Sequence, residues 1–413
     1  MASEDASILD EVAPFFAERE ELAETATIMK HVERALAVIQ NRLIPGAHLA
    51  TYGNGDWNDS LQPVDPAMRE RLCSAWTVTL HYQTLTTLAD AFRRLGVIES
   101  AAELQALAQQ LREDFHRLLI IDGVLAGLAY FHHDGGVDYL LHPRDAATGL
   151  SYSLLPMVHA IINGLFTPEQ AREHLGLIER HLLGPDGARL FDWPMEYRGG
   201  RQQYFQRAES STFFGREIGL MYTHAHLRYA EALWRYGEAE KFFRALCLAN
   251  PIGIQRLVPA AALRQANCYY SSSDAAFASR YEAYEQYDRA MCGMVPLDGG
   301  WRIYSSGAGI GLSLIVRCFL GLRQEKSALV LDPVIPARLD GLRVELEMAG
   351  RSFEVTYRVG RNGCGPTNVN LNGVDLQFAR CENPYRVGAA KVPMAMVLER
   401  VTDGANRMLI KIG

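Results

Sequence analysis

The sequence predicts a mainly α-helical protein, an (α/α) toroid of helical hairpins followed by a small C-terminal β-sandwich. Two observations predict this fold. Up to about residue 330, apolar residues recur at steps of three or four, and the segments between these runs are polar and aromatic. After Leu331 the apolar period changes to two, which is typical of strands. We therefore expect a helical domain over residues 1–330 and a sandwich over residues 331–413.

The predicted helices follow one another with loops between them. Ser100 with Glu103 forms a capping box that opens one of them, and the segment from Thr167 to Gln170 caps another. The pattern predicts helices over about 25–43, 70–95, 100–118, 154–165, 167–182, 214–236, 238–249 and 307–322.

Two long connections interrupt the predicted helices, and the predicted strands come after the last helix. Residues 120–152 and 184–212 read as irregular, and long loops in compact domains are usually functional. Beyond residue 331 the alternation predicts a hairpin of strands 343–348 and 352–359 around Gly350, with further strands at 368–371, 392–398 and 408–412.

Composition narrows the class of protein. The 413 residues are 48% apolar and 22% charged, as in an ordinary globular enzyme, and the net charge of −7 argues against nucleic acid or an anionic membrane as partner. No apolar run approaches membrane-spanning length, and the acidic start lacks the pattern of a signal peptide. The seven cysteines form no Cys-x-x-Cys pair, which predicts reduced thiols in a cytoplasmic protein.

The first candidate site is the segment 53–60, which places Asp56, Trp57 and Asp59 behind two glycines. Glycine permits unusual backbone angles, and Asp and Asn stabilise turns, so this mixture predicts a loop. Trp57 in a polar loop needs an apolar surface to cover it. The face of a sugar ring is one such surface, and a neighbouring core is the other reading.

Two further stretches carry polar residues on or beside predicted helices. Tyr222 and His224 fall on the predicted helix 214–236, where Glu217 lies seven residues before His224 and therefore two turns along one face. Ser306 and Gly307 open the predicted helix 307–322, and the hydroxyl and free N–H groups at a helix start favour anion binding. The alternative interpretation is that His224 is an ordinary core histidine and that Ser306 and Gly307 form an ordinary turn.

Together these stretches predict one acidic carboxyl group, a sugar platform and a phosphate site. Hydrolytic inverting glycosidases need two carboxyl groups, an acid and a base that activates water. A phosphate dianion is already a nucleophile and needs positioning and charge neutralisation instead of a base. The set therefore favours phosphorolysis, with inorganic phosphate as co-substrate and neither a cofactor nor a metal.

At these residues the chain resembles the disaccharide phosphorylases of glycoside hydrolase family 94. The motif Gly-Asp-Trp-Asn-Asp at 55–59 is similar to the acid loop of that family. The resemblance implies that Asp59 is the general acid and that Trp57 lines the sugar site. We expect Asp56 to bind substrate as well, and we expect the charge of Asp56 and the apolar ring of Trp57 to raise the pKa of Asp59.

The other motifs of the resemblance concern phosphate. Tyr-Thr-His-Ala implies a phosphate-binding role for His224. The Thr-Gly phosphate pair of the family corresponds to Ser306 and Gly307, and Glu217 matches a family glutamate that precedes the histidine. Within the family, the stretches 59–63, 267–274 and 300–307 are most similar to the 1,2-β-oligoglucan phosphorylases, which implies β-1,2-linked glucooligosaccharides as substrates and α-glucose 1-phosphate as product.

One departure from the family concerns length. A complete toroid has six hairpins, whereas periodicity predicts roughly eight or nine helices here, and the acid loop arrives by residue 59. The resemblance implies an incomplete barrel that corresponds to the C-terminal portion of such an enzyme. A homodimer or a partner chain would then supply the missing half. We expect the isolated chain to self-associate, and a clean monomer in light scattering would contradict this.

Two other functions stay open. The same fold with water in place of phosphate gives an inverting hydrolase, in which Asp59 is the acid and Glu209 or Glu217 the base. A non-catalytic subunit that binds glucans is the third reading. His132, His133 and Asp134 lie in a glycine-rich segment, which favours solvent- or substrate-facing side chains over a metal site.

Overall fold

A computed structural model describes residues 5–19, 23–56, 58–197, 199–210, 221–302, 305–348 and 350–413. The chain forms two units. One consists of Met1–Thr148 with Gln203–Gln206, and the other of Gly149–Gln202 with Arg207–Gly413.

The described residues contain α-helices of very different lengths. In chain order they are α1 Ile28–Gln40, α2 Ala75–Arg94, α3 Ile98–Leu119, α4 Leu154–Ile162, α5 Pro168–Leu177, α6 Thr223–Tyr236, α7 Ala239–Ala249, α8 Ile254–Leu257, α9 Arg280–Glu285, α10 Tyr287–Met291, α11 Ser305–Leu314 and α12 Met394–Leu398. The π-helical turns Ile178–Leu182 and Ile315–Phe319 extend α5 and α11.

The strands are mostly short. They are β1 Val12–Pro14, β2 Thr25–Thr27, β3 Leu72–Ser74, β4 Ile120–Ile121, β5 Val124–Leu125, β6 Leu128–Phe131, β7 Val137–Leu140, β8 Leu183–Gly184, β9 Gly187–Ala188, β10 Met221–Tyr222, β11 Ser272–Ala275, β12 Leu297–Gly299, β13 Leu322–Gln324, β14 Ala328–Leu331, β15 Arg343–Met348, β16 Arg351–Val359, β17 Pro366–Leu371, β18 Val374–Asp375, β19 Ala379–Arg380, β20 Ala390–Pro393 and β21 Asn406–Ile412.

The first unit contains the helical pair α2 and α3, which pack against each other. Gly96 (φ +80°) makes the turn between them. Their inward faces bury apolar side chains at steps of three or four: Leu85, Ala89, Phe92, Leu104, Ala108, Leu111 and Phe115. The predicted capping box at Ser100 is wrong, because α3 begins at Ile98 with Val97 as N-cap and Ser100 lies inside its first turn.

The predicted irregular connection 120–152 is partly wrong, since its first half is sheet. β4 pairs with β5, and β6 joins β3 and β7 in an antiparallel sheet. The pairing of β6 with β3, more than fifty residues earlier, is a long-range contact that local composition does not reveal.

The second unit surrounds α6 with α4, α7 and α11. The predicted cap of α5 is confirmed, and it is a capping box: the Gln170 N–H donates to Thr167 Oγ1 (3.2 Å), and the Thr167 N–H donates to Gln170 Oε1 (3.0 Å). α6 ends, as predicted, at the left-handed Gly237 (φ +103°). The prediction of one continuous helix over 214–236 is wrong, because Met221 and Tyr222 form β10 and α6 begins at Thr223. The predicted start at 214 lies outside the described residues.

The C-terminal part of the second unit has two sheets. One has the order β13-β14-β20-β19 and the other β15-β16-β21-β17-β18. Gly350 (φ +71°) makes the predicted turn of the β15–β16 hairpin. The predicted strand 392–398 is largely wrong, because β20 ends at Pro393 and the rest is α12. Side chains of both sheets share one core, which includes Leu329, Leu331, Phe353, Val355, Tyr357, Val392, Met408 and Ile410.

The fold is thus a mixture of helix and sheet, with 39% of the structure helical and 23% in strands, and the prediction of a mainly α chain is too simple. Within the described ranges, no helix combines the length and the apolar character that crossing a membrane requires.

Candidate functional site

The predicted loop at 53–60 is a loop in the structure, and backbone hydrogen bonds hold its entry. The Tyr52 N–H donates to Leu72 O (2.6 Å) and the Gly53 N–H to Arg69 O (3.1 Å). Gly53 has a φ of +60°, a left-handed conformation that favours glycine. The loop then closes into a 3₁₀ turn, Asp59–Leu61.

Asp56 organises this loop. Its Oδ1 accepts from the Asn58 N–H (3.1 Å), and its Oδ2 accepts from Thr77 Oγ1 (3.3 Å) in the first turn of α2. Asn58 and Ser60 are buried. Trp57 lies outside the described residues, and only the backbone of Asp59 is described, so the roles predicted for both stay predictions.

A three-stranded antiparallel sheet organises the second region. The order is β10-β11-β12, with Tyr222 opposite Ser272 and Ser273 opposite Gly299. This register brings the residues after β10, those before β11 and those after β12 to one edge of the sheet, which we call the sheet edge: residues 223–224, 269–271 and 300–301.

Hydrogen bonds fix the sheet edge. The Thr223 N–H donates to Ser271 O (2.9 Å), and Thr223 Oγ1 donates to Tyr270 O (2.8 Å). The Ser271 N–H donates to Trp301 O (2.9 Å). Because Thr223 is the first residue of α6, these bonds attach the start of that helix to the sheet.

His224 lies half-buried in the first turn of α6. Burial, and secondarily the positive charge of Arg228, lower the pKa of His224 to about 4. At neutral pH the side chain is therefore an uncharged imidazole that can donate one hydrogen bond. Arg228 lies one turn further along α6 and donates to Glu231 (2.5 Å). Sequence reasoning missed Arg228, although its spacing of four from His224 on a helix would have found it.

Gly307 belongs to the first turn of α11 and lies against Tyr269 of the sheet edge. A Cβ atom at position 307 would stand 1.6 Å from Tyr269 Oη, so only glycine fits there. The structure therefore brings two of the predicted phosphate-site residues, His224 and Gly307, to the same edge. Of Ser306 only the backbone is described. Tyr269 was not singled out as a site residue, although it falls in the stretch 267–274 that carries the family resemblance.

Glu217 lies outside the described residues. Its predicted place on one helix with His224 is wrong, because β10 separates position 217 from the start of α6. Glu209, the alternative base, is buried, and Arg280 lies within electrostatic reach of it.

The histidines of the glycine-rich segment have a simple arrangement. His132 Nε2 lies 2.8 Å from Asp138 Oδ2 across the β6–β7 turn, and His133 is exposed. Within the described ranges, no three His, Cys, Asp or Glu side chains lie together in a way that could hold a metal ion.

Comparison with known proteins identifies the family. Residues 1–275 match the catalytic domain of the glycosyl hydrolase 94 superfamily, and residues 321–410 match a glycoside phosphorylase C-terminal domain. The chain is 40% identical, over 99% of its length, to a 1,2-beta-oligoglucan phosphorylase of Listeria innocua. It is 24% identical, over 89% of its length, to a 3-O-beta-D-glucopyranosyl-beta-D-glucuronide phosphorylase of Paenibacillus borealis.

The chain spans 37% and 44% of the lengths of these two relatives. Among solved structures, a sialidase matches with a TM-score of 0.52 at 11% identity, covering 88% of this chain and 31% of that one, which is a likeness of fold alone. The family model covers two thirds of the chain, and the resemblance drawn from the sequence motifs is confirmed. The chain belongs to the glycosyl hydrolase 94 superfamily.

Proposed function

We propose that the chain is an inverting glycoside phosphorylase, or part of one, that acts on β-1,2-linked glucooligosaccharides and releases α-glucose 1-phosphate. The observation that carries the proposal is the sheet edge, where the neutral imidazole of His224 and the start of α11 at Gly307 converge. The two named phosphorylases that the chain resembles support it.

The reaction divides between two groups of residues. Asp59 gives a proton to the glycosidic oxygen as the C–O bond breaks, which requires a carboxyl group protonated at working pH. A phosphate oxygen attacks the anomeric carbon from the opposite face, so the configuration inverts and no base is needed. His224, Ser306 and the Gly307 N–H hold the phosphate, since hydrogen-bond donors at a helix start favour an anion.

The sugar contacts complete the proposal. Trp57 provides the apolar platform and Glu217 contacts sugar hydroxyls. Asp56, whose oxygens already bind Asn58 and Thr77, holds the acid loop in shape and places its negative charge near Asp59. A carboxylate close to another carboxyl group raises the pKa of that group.

The proposal also includes the domain architecture and the cellular location of the protein. The helices would form part of an (α/α) toroid over residues 1–330 and the two C-terminal sheets a sandwich over 331–413; the domain matches at 1–275 and 321–410 support a boundary in this region. Seven cysteines without disulfides support a cytoplasmic location. Inorganic phosphate serves as co-substrate with no further cofactor, and a homodimer or partner chain would complete the barrel.

The test is phosphate release from α-glucose 1-phosphate with sophorose as acceptor, using the purified chain and Asp59→Asn. We expect release by the unchanged chain and a loss of roughly 10²- to 10⁴-fold in the variant, because general acid catalysis contributes about that much. Circular dichroism of both proteins controls for folding. Equal turnover by Asp59→Asn would contradict the assignment of the acid, and sophorose cleavage without phosphate would favour the hydrolase.

A further inference from the structure

A cleft of about 1010 Å³ opens in the second unit beside the sheet edge. It lies between the segment 262–270, which leads into β11, and the segment 298–302, which leaves β12. Its walls include Arg264, Gln265, Asn267, Tyr270, Asp298 and Trp301. A volume of this size is at the upper end of the range of small-molecule sites.

Trp301 contributes an aromatic surface to the cleft. Its side chain is 53% exposed, whereas Trp234 of the same unit is 8% exposed and donates its indole N–H to Asp332 O. An exposed indole is a large apolar surface in contact with water, and covering it is favourable. Hydrogen bonds of the flanking backbone fix its position: Trp301 O accepts from the Ser271 N–H, and Arg302 forms a β-bridge with Tyr270.

The polar walls are also held in place. Arg264 is only 7% exposed, lies over the Tyr270 ring at 5.5 Å, and donates through Nη2 to Ser273 Oγ (3.0 Å). Among the described residues its buried Nε has no hydrogen-bond partner. Gln265 accepts from Arg302 Nη1 (3.1 Å). A polar wall whose side chains are already held by these contacts favours a ligand with several hydrogen-bonding groups.

The composition favours a neutral sugar over an acidic one. Asp298 lines the same cleft as Arg264, and a carboxylate repels an anionic ligand in a partly desolvated site. Amides such as those of Gln265 and Asn267 donate and accept at once, which suits hydroxyl groups. An aromatic platform with a rim of amides matches the alternating apolar faces and hydroxyl edges of a glucan chain.

We propose that this cleft binds a further part of the β-linked glucooligosaccharide, with Trp301 stacking on a glucose ring and Arg264, Gln265 and Asn267 contacting its hydroxyls. This inference rests on the proposed function, because it assigns a second sugar-binding surface next to the phosphate region at the sheet edge. It predicts that affinity grows with chain length until the cleft is filled.

The experiment is isothermal titration calorimetry of the purified chain, without phosphate, against sophorose and longer β-1,2-glucooligosaccharides. Trp301→Ala should weaken the binding of the longer ligands by roughly 2- to 12-fold, as expected for the loss of one aromatic contact. Trp301→Phe should retain most of the affinity. Tyr281→Ala, which removes an aromatic side chain that is 51% exposed elsewhere in the same unit, is the matched control and should bind as the unchanged chain.

The outcomes separate this inference from the proposed function. Loss of oligosaccharide binding in Trp301→Ala supports the cleft even if the chain shows no turnover. Unchanged affinity of Trp301→Ala for every chain length overturns the inference, and so does the absence of any binding by the unchanged chain, whether or not phosphorolysis occurs. Asn267→Ala provides the same test if Trp301→Ala does not fold.

Discussion

Helices α1 and α6 are of nearly equal length and both carry an apolar stripe, but their surroundings differ. Nine of the fourteen residues of α6 are buried, and α4, α7 and α11 surround it. None of the thirteen residues of α1, all of them described, is buried. α1 packs against β2 and the 3₁₀ turn Ala6–Asp10.

The difference teaches what an apolar period can predict. The period indicates that a helix forms and which face needs covering, because both follow from local spacing. What covers that face depends on segments far away in the sequence. α6 is covered by such segments, and its first turn carries His224. The stripe of α1 is not fully covered within this chain, and Val32, Leu36 and Ile39 stay half-exposed.

The largest expected effect is on the free energy of unfolding, which should respond differently when one leucine is truncated in each of the two helices. Leu233→Ala in α6 removes a fully buried side chain and should lower the free energy of unfolding by about 2–5 kcal/mol. Leu36→Ala in α1 should lower it by less than about 1 kcal/mol, because its side chain already contacts solvent. Urea denaturation at low protein concentration measures both. A large effect of Leu36→Ala that grows with protein concentration would show that a second copy covers α1.

A smaller effect is expected at His224, in the first turn of α6, and it concerns the KM for phosphate. His224→Ala should raise the KM for phosphate by roughly 10- to 150-fold, since a hydrogen bond to a charged group contributes about 1.5–3 kcal/mol. The KM for the oligosaccharide should change much less, because Trp301 and Trp57 are proposed to bind the sugar.

Steady-state kinetics in both substrates measures this split, and His31→Ala in α1 is the control, since His31 stacks on Phe15 at 3.8 Å in the other unit. Equal increases in both KM values would indicate that His224 only supports the fold.

The same contrast between local and distant contacts decides what could be predicted from the sequence. Three predicted features depend only on neighbouring residues, and all three are confirmed: the helix cap at Thr167, the hairpin around Gly350 and the end of α6 at Gly237. The strand β10 is two residues long and pairs with Ser272 and Ser273, about fifty positions later. A strand of two residues is too short to show an alternation of apolar and polar residues, so the sequence pattern predicts a continuous helix at this position.

The candidate site divides in the same way. Motif chemistry predicts His224 and Gly307 as phosphate-site residues, but their common place at the sheet edge depends on the register of β10, β11 and β12. The steric reason for Gly307 is the phenol of Tyr269, which is distant in sequence. The sequence therefore supplied residue types, while their geometry required the fold.

The smallest effect concerns the acid sensitivity of the α4–α6 interface. Burial, followed by the positive charge of Arg228 and the neighbouring His224, lowers the pKa of His159 to about 3 from an ordinary 6.5. Between these values the unfolded chain binds a proton that the folded chain excludes, so stability falls as the pH drops below 6.5. The loss is about 1.4 kcal/mol per pH unit for one such group. His159→Gln should reduce this slope in urea titrations between pH 6.5 and 4.5. An unaltered slope in His159→Gln would mean that the α4–α6 interface already admits water to this imidazole, and that α6 is less completely covered than its buried residues indicate.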